Sequence, residues 1–278
     1  MKGKKGKRRR PAIHRMHKQS LWKRMRTYIP GWAFWLGALT VLVFCWFLWR
    51  AFISVKDDVA VAYPEGFTVY GIDVSRYQTD INWELICNKA RINGQPVGFA
   101  FIKATEGADK VDPKYTYNLR EARKYNIPRA PYHFYSFNST PKQQADFFIK
   151  HVELKDGDLP PVLDVERRPD NITPEVFKWG VLEWLSLIEK HYGVKPILYT
   201  YYSFRMQYLN DVVFDRYPYW IAHYGVNEVA YKGPWSFWQF SDKGELPGIK
   251  GHVDFNVFNG NISDLMRLCY SVDEKEKR

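Results

Sequence analysis

The pattern of apolar and polar positions divides the chain into three regimes. The first is an uncharged run of nineteen residues, Gly31 to Trp49 (GWAFWLGALTVLVFCWFLW). At 1.5 Å per residue it makes about 28 Å of helix, close to the hydrocarbon thickness of a bilayer. Trp32 and Trp35 lie near one end and Trp46 and Trp49 near the other, the placement of two interfacial belts. The pattern predicts a transmembrane helix over residues 29–50. A cleaved signal peptide fits less well, because its apolar core is shorter and the Ala60–Ala62 pattern lies beyond Lys56, Asp57 and Asp58.

From Phe67 the pattern changes to short apolar runs separated by stretches of helical period. Strands are predicted at 68–74, 98–103, 130–134, 161–165 and 196–200, and helices at 83–90, 114–125, 142–151 and 174–192. Thr173 followed by Pro174 is an N-cap signal for the last of these. Strand starts recur about every thirty residues, the length of a βαβ unit. After Thr200, strand candidates at 219–222, 236–240 and 252–255 follow with no long helix until 262–270. The expected fold class is α/β: an irregular TIM-like β/α barrel over 66–272, with five regular βα units and then short strands, preceded by one transmembrane helix. An open doubly wound sheet is the alternative, but no Gly-x-Gly-x-x-Gly follows the first strand.

Charge sharpens the division. Residues 1–28 hold twelve Lys or Arg and no acid, leaving 29 basic against 30 acidic residues in 29–278. The net charge of +11 therefore describes a tail. The folded part gives no charge-based reason to expect nucleic acid. The positive-inside rule puts the 1–28 tail in the cytoplasm and the barrel outside it, in the periplasm or at the cell surface. A stalk is expected at 51–65 and a charged tail at 273–278. The reading expects a monomer held by lipid contact through 29–50. Cys87 and Cys269 lie in the compartment that permits a disulfide, and sequence leaves their pairing open. No clustered Cys/His spacing indicates a metal site, and no cofactor is expected.

In a parallel barrel, chemistry collects at the C-terminal ends of the strands. Three predicted strand ends carry carboxylates: Asp73, the pair Asp164 and Glu166, and Asp254. Two apart on a strand, Asp164 and Glu166 share a face, with Cα atoms about 6.6 Å apart. Carboxyls buried together raise one another's pKa, which creates a proton donor beside an ionised partner. Glycoside hydrolysis needs that pair; a site for Mg²⁺ or Ca²⁺ would use the same residue types. Aromatics at or just after strand ends (Tyr132, Phe134, Tyr199, Tyr201, Tyr224, Trp235, Trp238) favour a sugar, whose C–H faces stack on rings. Gln239, Asn256, His133 and His223 are candidate partners for its hydroxyls. Core packing is the competing account of each aromatic taken alone, and of His133.

Seven blocks in order carry a resemblance: GIDVSRYQ (71–78) with Asn82–Trp83, FAFIKATEG (99–107), PYHFYSF (131–137), PVLDVE (161–166), YWIAHY (219–224), WQFSDKGELPGI (238–249) and VDFNVFNG (253–260). Together they resemble glycoside hydrolase family 25, the muramidases typified by the Chalaropsis-type lysozymes, over residues 67–270. The resemblance implies an irregular barrel that cleaves the β-1,4 bond between N-acetylmuramic acid and N-acetylglucosamine in peptidoglycan glycan strands. It implies Glu166 as the general acid, Asp164 as the second carboxylate and Asp73 and Asp254 as flanking acids. It also implies that Tyr132 and Trp238 contact substrate; Tyr199, Gln239 and Tyr224 are placed with them as binding candidates. A peptidoglycan-binding membrane scaffold without turnover is the alternative.

Overall fold

A computed structural model describes residues 31–57 and 61–272. The basic tail 1–28 and the charged tail 273–278 lie outside the described residues. The chain divides between residues 60 and 61 into two compact units.

In the first unit, helix α1 runs Gly31–Asp57, past the expected end at residue 50. Its stretch Gly31–Arg50, with mean hydropathy 1.9, is the one helix among the described residues long and apolar enough to cross a membrane. Leu36, Phe44 and Leu48 on it are exposed, unlike the side chains of a core helix. The expected stalk at 51–65 is not one element. Residues 51–57 continue α1, whereas 61–65 belong to the second unit, where Tyr63 stacks on Phe255 and the Pro64 carbonyl accepts from the Tyr70 hydroxyl.

The second unit contains strands β1 (Tyr70–Val74), β2 (Arg91–Ile92), β3 (Gln95–Glu106), β4 (Lys110–Val111), β5 (Arg129–Phe134), β6 (Val162–Asp164), β7 (Ile197–Tyr201), β8 (Tyr219–Ala222), β9 (Phe237–Gly244) and β10 (Val253–Phe258). Among the described residues, eight of them close a barrel in the order β1-β3-β5-β6-β7-β8-β9-β10 and back to β1; β2 and β4 are short hairpin partners of β3. Pairing is parallel from β1 through β9, and β10 runs antiparallel to both neighbours. The sequence pattern leaves a strand's direction unspecified, and here the last strand is reversed.

Helices α2 (Trp83–Asn88), α3 (Tyr115–Lys124), α4 (Pro141–His151) and α5 (Pro174–Tyr192) join the first five barrel strands. Thr140 opens α4 with a capping box completed by Gln143. Thr173 caps α5 ahead of Pro174, and Gly193 ends it in the left-handed region (φ 74°). Between β7 and β8 the crossover shrinks to α6 (Tyr202–Tyr208) and a 3₁₀ turn, and between β8 and β9 no helix forms. Helix α7 (Ile262–Leu268) follows β10, and Leu265, Leu268 and Cys269 pack against the lower end of the barrel interior.

Strand alternation separates two apolar clusters. Side chains facing outward, such as Ile72, Ile102, Leu163, Leu198, Ile221, Trp238 and Val257, pack against the helices. Side chains facing inward, among them Phe99, Phe101, Ile197, Trp220 and Phe237, fill the barrel. Phe101 stacks on Trp220 with ring centroids 4.0 Å apart, and Phe99 and Phe237 meet it edge-on at 5.3 and 5.0 Å. Gly71 leaves room for this aromatic floor: a Cβ there would stand 2.5 Å from the Phe99 ring. Cys45, Cys87 and Cys269 are free thiols, so the pairing left open between Cys87 and Cys269 does not form.

Candidate active site

Above the aromatic floor the inward positions become polar. Just before and along β1 the inward series is Val69, Gly71, Asp73; on β3 it is Phe99, Phe101, Lys103; on β6 and just beyond it is Val162, Asp164, Glu166. A period of two thus lifts apolar residues into the core and a charged one to the mouth of each strand. Asp254 opens β10 rather than ending it. Because β10 is reversed, its start lies at the same mouth, directly opposite Asp73 in register. Asp73, Asp164, Glu166 and Asp254 line one cleft of about 460 Å³ with Tyr132, Phe134, Lys103 and Glu106.

Asp73 is the best-held of the acids. Its Oδ2 accepts from Gln239 Nε2 and from Asn256 Nδ2, both at 2.8 Å. Trp220 Nε1 donates to Asn256 Oδ1 at 2.8 Å and so fixes which way that amide points. The hydroxyls of Tyr199 and Tyr224 donate to Gln239 Oε1 at 2.8 and 2.5 Å, which turns its amide nitrogen toward Asp73 and, at 3.3 Å, Asp254. Tyr199 and Gln239 therefore stand buried behind the acids and orient them, and Tyr224, 45% exposed, joins through its bond to Gln239; none of the three is in the lining of the cleft.

Burial lifts the acids above ordinary carboxylate values. Asp164 is raised well above the ordinary range, by burial and then by the charge of Glu166, and its Oδ1 has no hydrogen-bond partner among the described residues. Glu166 is half-buried; burial raises it, as does the charge of Asp73, while Lys103 pulls the other way. Burial raises Asp73 against hydrogen bonds from Asn256, Gln239 and Asp254. Burial, then the charge of Asp73 and a hydrogen bond to it, lift Asp254 to about 9. Burial and mutual repulsion of the Asp73–Asp254 pair favour a proton retained between them at neutral pH.

This proton has a stability consequence with a definite sign. Asp254 binds its proton more tightly folded than unfolded, so its contribution is full below about pH 4 and is lost as pH rises toward about 9. Asp254→Asn keeps an N–H donor for Asp73 but cannot ionise. Thermal melts should show a smaller fall in midpoint for the variant than for the wild type between pH 5 and 9. Parallel curves would remove Asp254 from the titrating cluster.

Lys103 and Glu106 also line the cleft, although the sequence pattern does not single them out. Lys103 lies 4.6 Å over the Phe134 ring and 2.9 Å from Glu106 Oε2, and Lys110 grips Glu106 Oε1 at 2.7 Å. Burial alone would raise Glu106, but the two ammonium groups hold it down at about 2. The available signal was a lysine in the inward parity of an otherwise apolar strand.

Trp238 does not belong to the cleft. Gln239 points inward, so its neighbours on β9 point outward. Trp238 is 1% exposed in the outer core and donates from Nε1 to the His223 carbonyl at 2.8 Å. His133 is likewise outward-facing, stacked on Trp184 and hydrogen-bonded to Thr105 and Gln144, with its pKa lowered by burial to about 4. His223 stacks on Tyr202, away from the lining. Tyr201 reaches the site indirectly, donating to the Glu166 carbonyl at 2.7 Å.

Comparison with known proteins agrees with this geometry. Residues 72–249 match the family model described as Glycosyl hydrolases family 25. The chain is 39% identical over 240 residues to the uncharacterised protein YegX of Escherichia coli O6:H1, covering 82% of this chain and 87% of that one. It is 31% identical over 227 residues to Lysozyme M1 of Streptomyces globisporus, covering 77% and 75%. Among solved structures, a family 25 glycosyl hydrolase from Bacillus anthracis superposes with a TM-score of 0.68 at 31% identity, covering 76% of this chain and 97% of that one. The chain belongs to glycosyl hydrolase family 25 and is a glycoside hydrolase of the lysozyme type.

Proposed function

We propose that this enzyme is a peptidoglycan muramidase that cleaves the β-1,4 bond between N-acetylmuramic acid and N-acetylglucosamine during cell-wall remodelling. The observation that carries the reading is the convergence of Asp73, Asp164, Glu166 and Asp254 on one cleft beside Tyr132. Glu166 donates its proton to the departing glycosidic oxygen as the bond to the anomeric carbon breaks. Asp164 receives the N–H of the substrate's 2-acetamido group on its unpartnered Oδ1. That hydrogen bond favours the ionised carboxylate and steers the acetamido oxygen to the anomeric carbon. Water then opens the ring so formed, giving its proton to Glu166. Asp73, held by Gln239 and Asn256, keeps negative charge beside Glu166 and so delays loss of its proton.

Helix α1 supports a membrane attachment, with the basic residues 1–28 on the cytoplasmic side and the barrel acting as a monomer outside. An enzyme so tethered reaches wall near its own membrane, which favours remodelling over attack on distant cells.

Digestion of purified peptidoglycan with anomer-resolved NMR of the first product tests both bond and route. Reducing-end N-acetylmuramic acid formed with retained configuration is expected. An inverted first product would replace acetamido attack by direct water attack, with Asp73 or Asp254 as the base. Reducing-end N-acetylglucosamine would overturn the choice of bond.

A further inference from the structure

A second cavity, of about 580 Å³, opens beside the cleft and is the larger of the two. Glu106 lines both, so one side chain, clamped by Lys103 on the cleft side and by Lys110 on the other, forms the wall between them. The far side is one face of α4: Gln143, Asp146, Phe147 and Lys150, spaced i, i+3, i+4 and i+7. Its charges are of mixed sign. Lys150 has no ion-pair partner among the described residues, whereas Asp146 pairs with Lys142 across an exposed edge. Ser139, whose buried Oγ has no hydrogen-bond partner among the described residues, also lines the space.

The sugar rings already have their partners in the adjoining cleft, where Asp164 serves the acetamido group and Tyr132 and Phe134 offer ring faces. Lys150, Asp109 and Asp146 set around the Phe147 ring, with the hydroxyls of Ser136 and Ser139, suit an extended peptide that carries carboxylates and an amine along an amide backbone. In peptidoglycan such a peptide is attached to one of the two sugars and must leave the sugar site by some exit. We propose that this second cavity receives the stem peptide of the sugar bound in the cleft, and that Lys150 and Asp146 are specificity residues for peptide-bearing strands. The inference rests on the muramidase reading above.

The test compares two substrates made from one wall preparation: soluble glycan strands with their peptides, and the same strands stripped by an amidase. Wild type is expected to show kcat/KM about tenfold higher on peptide-bearing strands, through KM, the effect of one charged hydrogen bond. Lys150→Ala and Asp146→Ala should bring that ratio toward one and leave turnover of stripped strands unchanged. Equal kcat/KM on both substrates in wild type, or equal losses on both in the variants, would overturn the assignment. Calorimetric titration of a peptide-bearing disaccharide into Glu166→Gln separates binding from turnover. Affinity about tenfold weaker when Lys150→Ala is added supports the cavity; unchanged affinity overturns it. Wild type that binds this ligand in a Lys150-dependent way yet cleaves neither strand would overturn the activity and uphold the cavity.

Discussion

Glu166→Gln should lower kcat on peptidoglycan by about 10²- to 10⁴-fold, the range a positioned general acid supplies. KM should change little, because proton donation is an interaction gained in the transition state and absent from the ground state. The substitution is nearly isosteric at a half-buried position, and it removes a charge that burial and Asp73 already disfavour. The thermal midpoint near neutral pH should therefore be maintained or rise. Zymography on wall material with a soluble-fragment assay gives the kinetic arm and calorimetry the stability arm. Full turnover by a folded Glu166→Gln protein would transfer the acid role elsewhere, with Asp164, its pKa raised by burial and by Glu166, the next group to examine.

Phe101→Ala should be the most damaging substitution for the barrel itself, costing about 3–5 kcal/mol by chemical denaturation, as large aromatic-to-alanine changes in cores do. Phe101 is fully buried and touches three other rings of the floor. The backbone around it is tied into a closed ladder through β1 and β5, so the space cannot collapse freely. The damage should also reach the site. Trp220, deprived of its stacking partner, holds Asn256, and Asn256 holds Asp73. Phe101→Leu, which keeps most of the volume, should recover most of the stability; a Phe101→Ala loss below about 1 kcal/mol would mean that the floor repacks and does not anchor the barrel.

What was legible in the sequence follows the rules of period and punctuation. Helix α5 has the predicted bounds: Thr173 and Pro174 mark its start in the sequence, and Gly193 ends it in the left-handed region. The shared face of Asp164 and Glu166 follows from their spacing alone. The outward direction of Trp238 is hidden in the sequence because the run Phe237-Trp238-Gln239-Phe240 is apolar on both faces of a strand buried on both sides, and only Gln239 betrays the parity. The direction of β10 was hidden for a different reason: alternation is the same whichever way a strand runs. A parallel β10 would carry Asp254 to the far end of the barrel; it lies at the mouth only because β10 is reversed. Lys103 and Glu106 escaped because their meaning lies in a partner, Lys110, brought back by the hairpin of β3 and β4. Strand pairing of that kind leaves no trace in hydropathy.

The plug of Phe99, Phe101, Trp220 and Phe237 also governs how a polymer travels. With its lower end sealed, the barrel offers no tunnel, and a glycan must drape across the rim with both arms free. Cuts at internal linkages, each followed by release of both fragments, are the expected result. The average strand length of a digest should drop steeply in its first minutes, well before disaccharides accumulate.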